Sequence, residues 1–544
     1  MTIFSFRRVA TLCVLTAGTG LAFQASNSNS NSLDVEEKFR TTIHGFRRSS
    51  RAISTISLIV LDYKYSLYGV VANSEEYRLK LSEVHLRSAK RLLKLCQVNK
   101  GFYVKAGQFA ASLRQTPNEY SSILSSLQDQ SLTPQAVPCP FKDIKDVIIS
   151  NLGSDISTMF LSLDEQPIAA ASIAQVHRAI LKSNQEVAIK VQYPGLMQHV
   201  KIDTTVMSFL SRTISWLFPD YRFEWLASEF EKTILLELDF LQEARNAERT
   251  AENFKNNNLV KIPRVYWEFT TRQVLTMEFC EGHKVDDIEF MKQSGIDPSK
   301  VAKALVEVFA EMVFVHGFLH GDPHPGNILV SLDNLNGFTL VLLDHGIYKQ
   351  LDEEFRLHYC QLWKAMITLD TNKILQLGEW FGVPKYSKYF PLIFTGRSFD
   401  STSALGMGMS NEERRNLKQE LKLLKMEDIS SFMESLPSDF LAVLRTDGLL
   451  RSITRKLGVP QRLRILTYAK FALHGSSPKL NSATDPIVKV AYFRLKTSLS
   501  YLHLRLFLVG AEALSSFQKF MNFTCSLCRR YYHAMKSMQM LSFP

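Results

Sequence analysis

Cysteine is scarce in this chain. Its 544 residues hold seven, at positions 13, 96, 139, 280, 360, 525 and 528. That is too sparse and scattered for a disulfide framework. Cys525 and Cys528 form the one close pair, and no second pair completes a zinc site beside them. The pattern suits a reducing compartment and is compatible with a mitochondrial one. Long uncharged apolar runs are also missing. The stretch Val9 to Phe23 is about 15 residues, short of the ~20 needed to span a bilayer. The apolar stretch 487–514 contains Lys489, Arg494, Lys496, Arg505 and Glu512, which argues against a spanning helix and for an amphipathic one, packed or at a membrane surface. No arginine stripe interleaved with stacking aromatics is present, so nucleic acid is set aside as a partner. The basic balance remains, with a net charge of +11 and a pI near 9.1, and it favours an anionic surface such as lipid. The tail around Arg529, Arg530, Tyr531 and Tyr532 reads either as solvated or as touching lipid headgroups.

Acid is absent from the first 33 residues. Arg7 and Arg8 precede the apolar run, and a polar stretch from Ser26 to Ser32 follows it as a linker. Arginine and serine without acids suit a mitochondrial presequence. A secretory signal is the alternative, but Phe23 disturbs the small-x-small cleavage pattern. Residues 34–130 look helical, with Val84, Leu86, Leu92, Leu93 and Leu95 set among arginines and lysines. Pro134, Pro138 and Pro140 mark a boundary. Strands are expected between 159 and 193, then helix from about 197 to 254 with a break near Pro219. Strands return at 262–267 and 273–279, and helices dominate from about 299. The order predicts an α+β chain with a two-lobed, protein-kinase-like fold: a small mixed N-lobe, a mostly helical C-lobe and an added N-terminal helical extension. The expected divisions are 1–33 targeting segment, 34–140 extension, 141–282 N-lobe with a helical insertion, 283–480 C-lobe and 481–544 tail.

The segment His320-Gly321-Asp322-Pro323-His324-Pro325-Gly326-Asn327 carries the strongest chemical signal. Phosphoryl transfer needs a carboxylate near the attacking hydroxyl or water, and oxygen ligands that hold magnesium against phosphates. A base Asp with an Asn five residues later supplies both from one loop, and Asp322 and Asn327 have that spacing. Ile328–Val330 and Phe338–Leu343 are expected to pair as a hairpin through Asn336-Gly337. The second strand runs into Asp344-His345-Gly346, which places Asp344 where a magnesium-binding carboxylate belongs. Upstream, Val187-Ala188-Ile189-Lys190-Val191 puts a lysine on an apolar strand, suited to nucleotide phosphates. Before it, Ala169, Ala170, Ala171, Ser172, Ile173 and Ala174 occupy the position of a phosphate loop but contain no glycine. Alanine resists positive φ, so this loop cannot follow phosphates with the usual backbone shapes.

These segments together resemble the aarF-domain (UbiB-type) atypical kinase family. Its alanine-rich loop, HGDxHPGN segment and Lys-x-Gly-Gln element are matched here, the last by Lys105-Ala106-Gly107-Gln108. Val84–Leu92 and Glu353–Trp363 are most like one mitochondrial branch of that family. The resemblance implies ATP or ADP with Mg2+ as cofactors. It implies that Lys190 pairs with Glu243, and that Lys105 reaches Glu237 and Asp239 and covers the site. It also makes Val274 to Gly282 a hinge in which Met277 flanks the adenine and the backbone of Glu278 to Cys280 reads it. His324 stands where many kinases have lysine, and no Ala-Pro-Glu segment follows Asp344, so the pattern supports ATP binding better than phosphorylation of a protein. By family analogy the setting is coenzyme Q or other mitochondrial lipid and membrane homeostasis. Removal of residues 1–33 is expected to abolish mitochondrial import; normal import of the shortened chain would reject the presequence reading.

Overall fold

In the computed structural model the described residues are 32–71, 74–112, 116–127, 139–218, 224–333, 335–399, 411–423 and 435–476, with isolated positions elsewhere. Residues 1–31 of the segment expected to target the chain, most of 487–514 and the tail at 529–532 lie outside them. The chain divides into two compact units. One comprises Met1–Gly282 together with Val341–Ile347, and the other His283–Leu340 together with Tyr348–Pro544.

The first unit begins with helices α1 (Ser32–Ser66), α2 (Glu75–Asn99), α3 (Phe102–Ser112), α4 (Asn118–Leu124) and α5 (Phe141–Leu152). Strands β1 (Phe160–Leu163), β2 (Ala169–Ala170), β3 (Ala174–Leu181) and β4 (Glu186–Gln192) follow. Then come α6 (Leu196–Leu217), α7 (Glu224–Glu237), α8 (Phe240–Asn253) and β5 (Val274–Glu278). The sheet order is β1-β3-β4-β5, with β2 also on β3, and the pairs are antiparallel. Strand β4 is central and apolar because both of its faces are covered. Val187, Ile189 and Val191 point one way, into a core with Ile144 and Ile148 of α5. Ala188 points the other way, into a core with Leu238, Phe240 and Ala244. Side chains alternate along a strand, so Lys190 shares the Ala188 face.

Two elements differ from the sequence expectation. Residues 262–267 do not form a strand. Pro263 lacks an N–H for a ladder, and only an isolated bridge from Val265 to Met277 remains. The expected long helix breaks a second time after Glu237, where Asp239 caps the start of α8.

The second unit contains α9 (Pro298–Glu311), β6 (Phe318–His320), β7 (Ile328–Asp333), β8 (Gly337–Leu342), β9 (Tyr348–Gln350), α10 (Glu353–Thr368), α11 (Thr371–Trp380), α12 (Ser438–Lys456) and α13 (Gln461–Gly475). The hairpin turn ends at Gly337, whose φ of 81° needs glycine. Strand β8 starts in this unit and leads into the first, where it delivers Asp344. Aromatic rings of Phe314, Tyr359, Trp363, Phe394, Phe440 and Tyr468 pack together as the core. A π-helical turn, Met312–His316, follows α9. Buried Arg356 donates to the Phe314 carbonyl of that turn and, at 2.8 Å, to the Gly475 carbonyl. It is neutralised in part by Glu353.

Close packing makes Gly475 obligatory. A Cβ there would lie 2.0 Å from the Phe314 backbone oxygen and 3.0 Å from Cys360 Sγ. Backbone cannot yield as a side-chain tip can. Gly475→Ala is therefore expected to destabilise the second unit by about 1–3 kcal/mol, the usual cost of overpacking. A drop in Tm by calorimetry checks this, and an unchanged Tm would contradict it.

Candidate functional site

Lys190 sits at the middle of the central strand, opposite Val176 on one side and Leu275 on the other. Its Nζ donates to Glu243 Oε1 at 2.7 Å and to Asp344 Oδ2 at 3.0 Å. The ammonium also lies 5.1 Å from the ring centre of Phe240. Burial disfavours its charge, but the carboxylates of Asp344 and Glu243 outweigh that and raise its pKa. Burial works against Asp344 as well, and the positive charges of Lys190 and Lys105 win, holding its carboxyl far below the usual range. Glu243 goes the other way. It is almost fully buried, and burial together with the nearby Asp344 charge pushes it up to about 7 against the pull of Lys190.

Helix α8 fixes this group from one face. Glu243 and Asn246 are three residues apart on the helix and both are buried. Glu243 Oε1 accepts from the His345 N–H at 3.4 Å, and Asn246 Nδ2 donates to the His345 carbonyl at 2.9 Å. The helix thus grips the Asp-His-Gly segment by its backbone. Gly346 N–H turns back to Asp344 Oδ1 at 2.9 Å. A Cβ at Gly346 would lie within 3.7 Å of atoms in Asp344, Glu243 and Glu237. Three carboxylates therefore converge on this glycine, matched by Lys190 and Lys105.

Lys105, on α3, reaches Glu237 Oε2 at 2.9 Å. The rest of its motif has a packing role. Gln108 Nε2 donates to the Leu127 carbonyl at 2.8 Å, and a Cβ on Gly107 would lie 2.4 Å from Leu127 Cδ1. Asp239 caps α8 by accepting from Leu241 and Gln242 N–H, and it lies 3.7 Å from Arg272.

The alanine-rich segment folds onto its own strand. Ala169 and Ala170 pair with Val176 and Gln175, and Ala171 N–H donates to the Ala174 carbonyl at 2.8 Å. Ile173 and Ala174 are buried in the core, and Tyr193 ties the turn through the carbonyls of Ala171 and Ile173. Ser172 Oγ is buried with no hydrogen-bond partner. A Cβ on Gly101, at the start of α3, would stand 3.5 Å from the Ser172 carbonyl, so the extension abuts this loop.

At the hinge, Met277 is buried opposite Ala188. Glu278 N–H donates to the Arg264 carbonyl and Phe279 N–H to the Glu186 carbonyl. Glu278 pairs through its carboxylate with Lys261 at 2.6 Å. The N–H of Cys280, just past the end of β5, has no backbone partner among the described residues. Its half-buried thiol is raised in pKa by burial.

In the second unit, Asp322 N–H donates to His320 Nδ1 at 3.0 Å. The Asp322 carbonyl accepts from His324 N–H at 2.7 Å and from Asn327 Nδ2 at 3.1 Å. Gly326 N–H donates to His324 Nδ1 at 3.1 Å. His324, in the place of a kinase lysine, therefore builds the loop from within. The Asn327 amide is held by its nitrogen, which leaves its oxygen as a ligand for a hard cation. Among the described residues no cluster of three or more His, Cys, Asp or Glu side chains is arranged to hold a metal alone. Asp344 in the first unit and Asn327 in the second each offer an oxygen of the hard type that magnesium takes.

Two contributors escaped sequence reasoning. Phe240 beneath Lys190 looked like ordinary core. Gln192, which donates to the carbonyls of Leu238 and Arg272 and so fixes the turn before α8, carries no motif.

The first unit thus holds a lysine paired with a helix glutamate beside a strand-end Asp-x-Gly, and the second unit separately carries an Asp-x4-Asn loop, features of the protein-kinase-like class. Residues 131–378 match the model of the ABC1 atypical kinase-like domain. The chain is 41% identical to AarF domain-containing protein kinase 1 of Xenopus laevis, over 76% of this chain and 79% of that one. The mouse protein of the same name is 40% identical over 76% and 78%. AarF domain-containing kinase 1 of Drosophila melanogaster is 34% identical over 82% and 85%. This chain belongs to the AarF-domain-containing atypical kinase family, and its fold is the two-lobed α+β kinase-like one.

The Lys190–Glu243 contact is buried, so removing one partner strands the other. Glu243→Leu and Lys190→Met are each expected to cost about 3–5 kcal/mol. The double variant should cost less than the sum by a measurable coupling energy. Strict additivity in a denaturant double-mutant cycle would contradict the contact.

Proposed function

We propose that this protein is a Mg-ATP phosphotransferase or ATPase acting in mitochondrial lipid, coenzyme Q or membrane homeostasis. The observation that carries this reading is the ion group of Lys190, Glu243 and Asp344, with contacts of 2.7 and 3.0 Å. Its geometry is that of a lysine aimed at nucleotide phosphates and a carboxylate kept ionised for magnesium. Asp344 and Asn327 are the metal ligands, and magnesium supplies charge neutralisation of the phosphates when bound. Asp322 is the base. It takes the proton of an attacking hydroxyl or water as the new O–P bond forms and the bond to the leaving ADP breaks. Cys280 N–H and the neighbouring hinge backbone meet the adenine edge. The kinase designation of the relatives supports transfer chemistry.

A second reading has its own observation. Lys105 is bound to Glu237, and the extension abuts the alanine loop at Ser172. A covered loop fits a nucleotide-gated binding or scaffold module in which turnover is vestigial. Radiolabelled ATP with magnesium separates the two. Under the first reading the wild type turns over ATP and Asp322→Asn lowers the rate about a hundredfold or more, as loss of a general base does. Equal rates would remove the catalytic reading. Lys105→Ala frees Glu237 and is expected to raise turnover; an unchanged rate would count against the cover.

A further inference from the structure

Helix α1 has a sharply two-sided surface. Gly45, Arg48, Ala52 and Ile59 are buried along one side, spaced so that they share a face at about 100° per residue. Arg48 anchors that side through Asp203 of α6 and the Asn99 carbonyl at the end of α2. The opposite side mixes large apolar side chains with cations and hydroxyls and carries no acid. It presents Ile43, Phe46, Leu58, Leu61 and Tyr65, all exposed, with Tyr65 at 86%, and Tyr68 in the turn just past the helix end is exposed at 79%. Arg47, Arg51 and Lys64 are exposed among them, as are Ser50 and Ser54.

Acid is missing from this face. The sole acidic residue between Ile43 and Tyr68 is Asp62, which is turned to α2 and held by Arg87 and Arg91. The C-terminal end of the stripe is aromatic. Lys64 donates to the Leu217 carbonyl at 3.1 Å and lies 4.3 Å from the Phe218 ring centre. That contact brings the end of α6, with Trp216 exposed at 57%, to the same end as Tyr65 and Tyr68. From Ile43 to the helix end at Ser66 the stripe runs about 35 Å along the axis. Its mix of apolar side chains, cations and terminal aromatics matches the interface of an anionic bilayer, where aromatics sit at headgroup level and cations meet lipid phosphates.

We infer that the outer face of α1 from Ile43 to Tyr65, together with Tyr68 in the turn that follows, is a docking surface for an anionic phospholipid bilayer, with the helix lying in the interface plane. This deepens the membrane part of the proposed function, names a surface other than the basic tail, and does not depend on ATP turnover. No helix among the described residues is long and apolar enough to cross a membrane, so this contact is peripheral.

Flotation of the full chain with vesicles tests it. Phosphatidylcholine vesicles containing an anionic phospholipid are expected to carry the protein, and pure phosphatidylcholine vesicles are not. The triple variant Phe46→Ser, Leu58→Ser, Leu61→Ser should lower partitioning about a hundredfold, from the lost apolar burial. Arg47→Glu with Arg51→Glu should lower it about tenfold or more and flatten its salt dependence. These positions are exposed, so Tm and basal ATP turnover should stay at wild-type values. Wild-type flotation by the triple variant would overturn the inference, as would loss of flotation by Arg529→Glu with Arg530→Glu alone. A change of oligomeric state in the triple variant with flotation intact would also overturn it, by making the face an interface between copies. Failure of ATP turnover in the wild type would bear on the catalytic reading and leave this one standing.

Discussion

Everything in the first unit is arranged around keeping one ammonium charged inside a sheet. Lys190 sits on the most buried strand, where an unpaired charge would be prohibitively costly. Its neutralisation requires Glu243 from a helix and Asp344 from a segment that returns 154 residues later to accept its hydrogen bond. That requirement explains why α8 starts where it does, why Asp239 caps it, and why Gln192 fixes the turn before it. It also explains the buried backbone contacts from Glu243 and Asn246 to His345. The helix is less a wall of the site than a clamp on the segment bearing Asp344.

The charges divide their labour. Asp344 is kept ionised by two lysines, as a magnesium ligand must be. Glu243 is pushed up to about 7 and is the more easily protonated partner. Both carboxylates face the same lysine, so the difference comes from their surroundings: Glu243 is almost fully buried, while Asp344 keeps about a third of its side chain exposed. Lys105 adds a second cation near Asp344 and ties the helical extension to Glu237. The extension thus bears on the electrostatics of the site as well as on access to the alanine-rich loop.

Much of this was legible in the sequence. The apolar run through Lys190 and the Asn336-Gly337 turn follow local rules, and the elements appear where those rules put them. The failures were also local. Residues 262–267 looked strand-like from Ile262, Val265 and Tyr266, but Pro263 denies the ladder its donor. The break at Asp239 was hidden because Asp inside a helical pattern reads as a surface residue until its capping role is seen. Long-range partners were legible only through family resemblance: nothing in the spacing of Lys105 and Glu237 announces a 2.9 Å contact. The packing role of Gln108 and Gly107 was not legible at all, since it depends on Leu127 arriving from a separate turn.

The central claim is that Asp344 and Lys190 form a magnesium-nucleotide site. Calorimetric titration of ADP into the full chain, with magnesium and then with chelator, tests it most directly when repeated on Asp344→Asn. The account predicts binding by the wild type that strengthens markedly with magnesium, and no such strengthening in the variant. Equal affinity with and without magnesium in the wild type, or the same magnesium effect in both proteins, would contradict it.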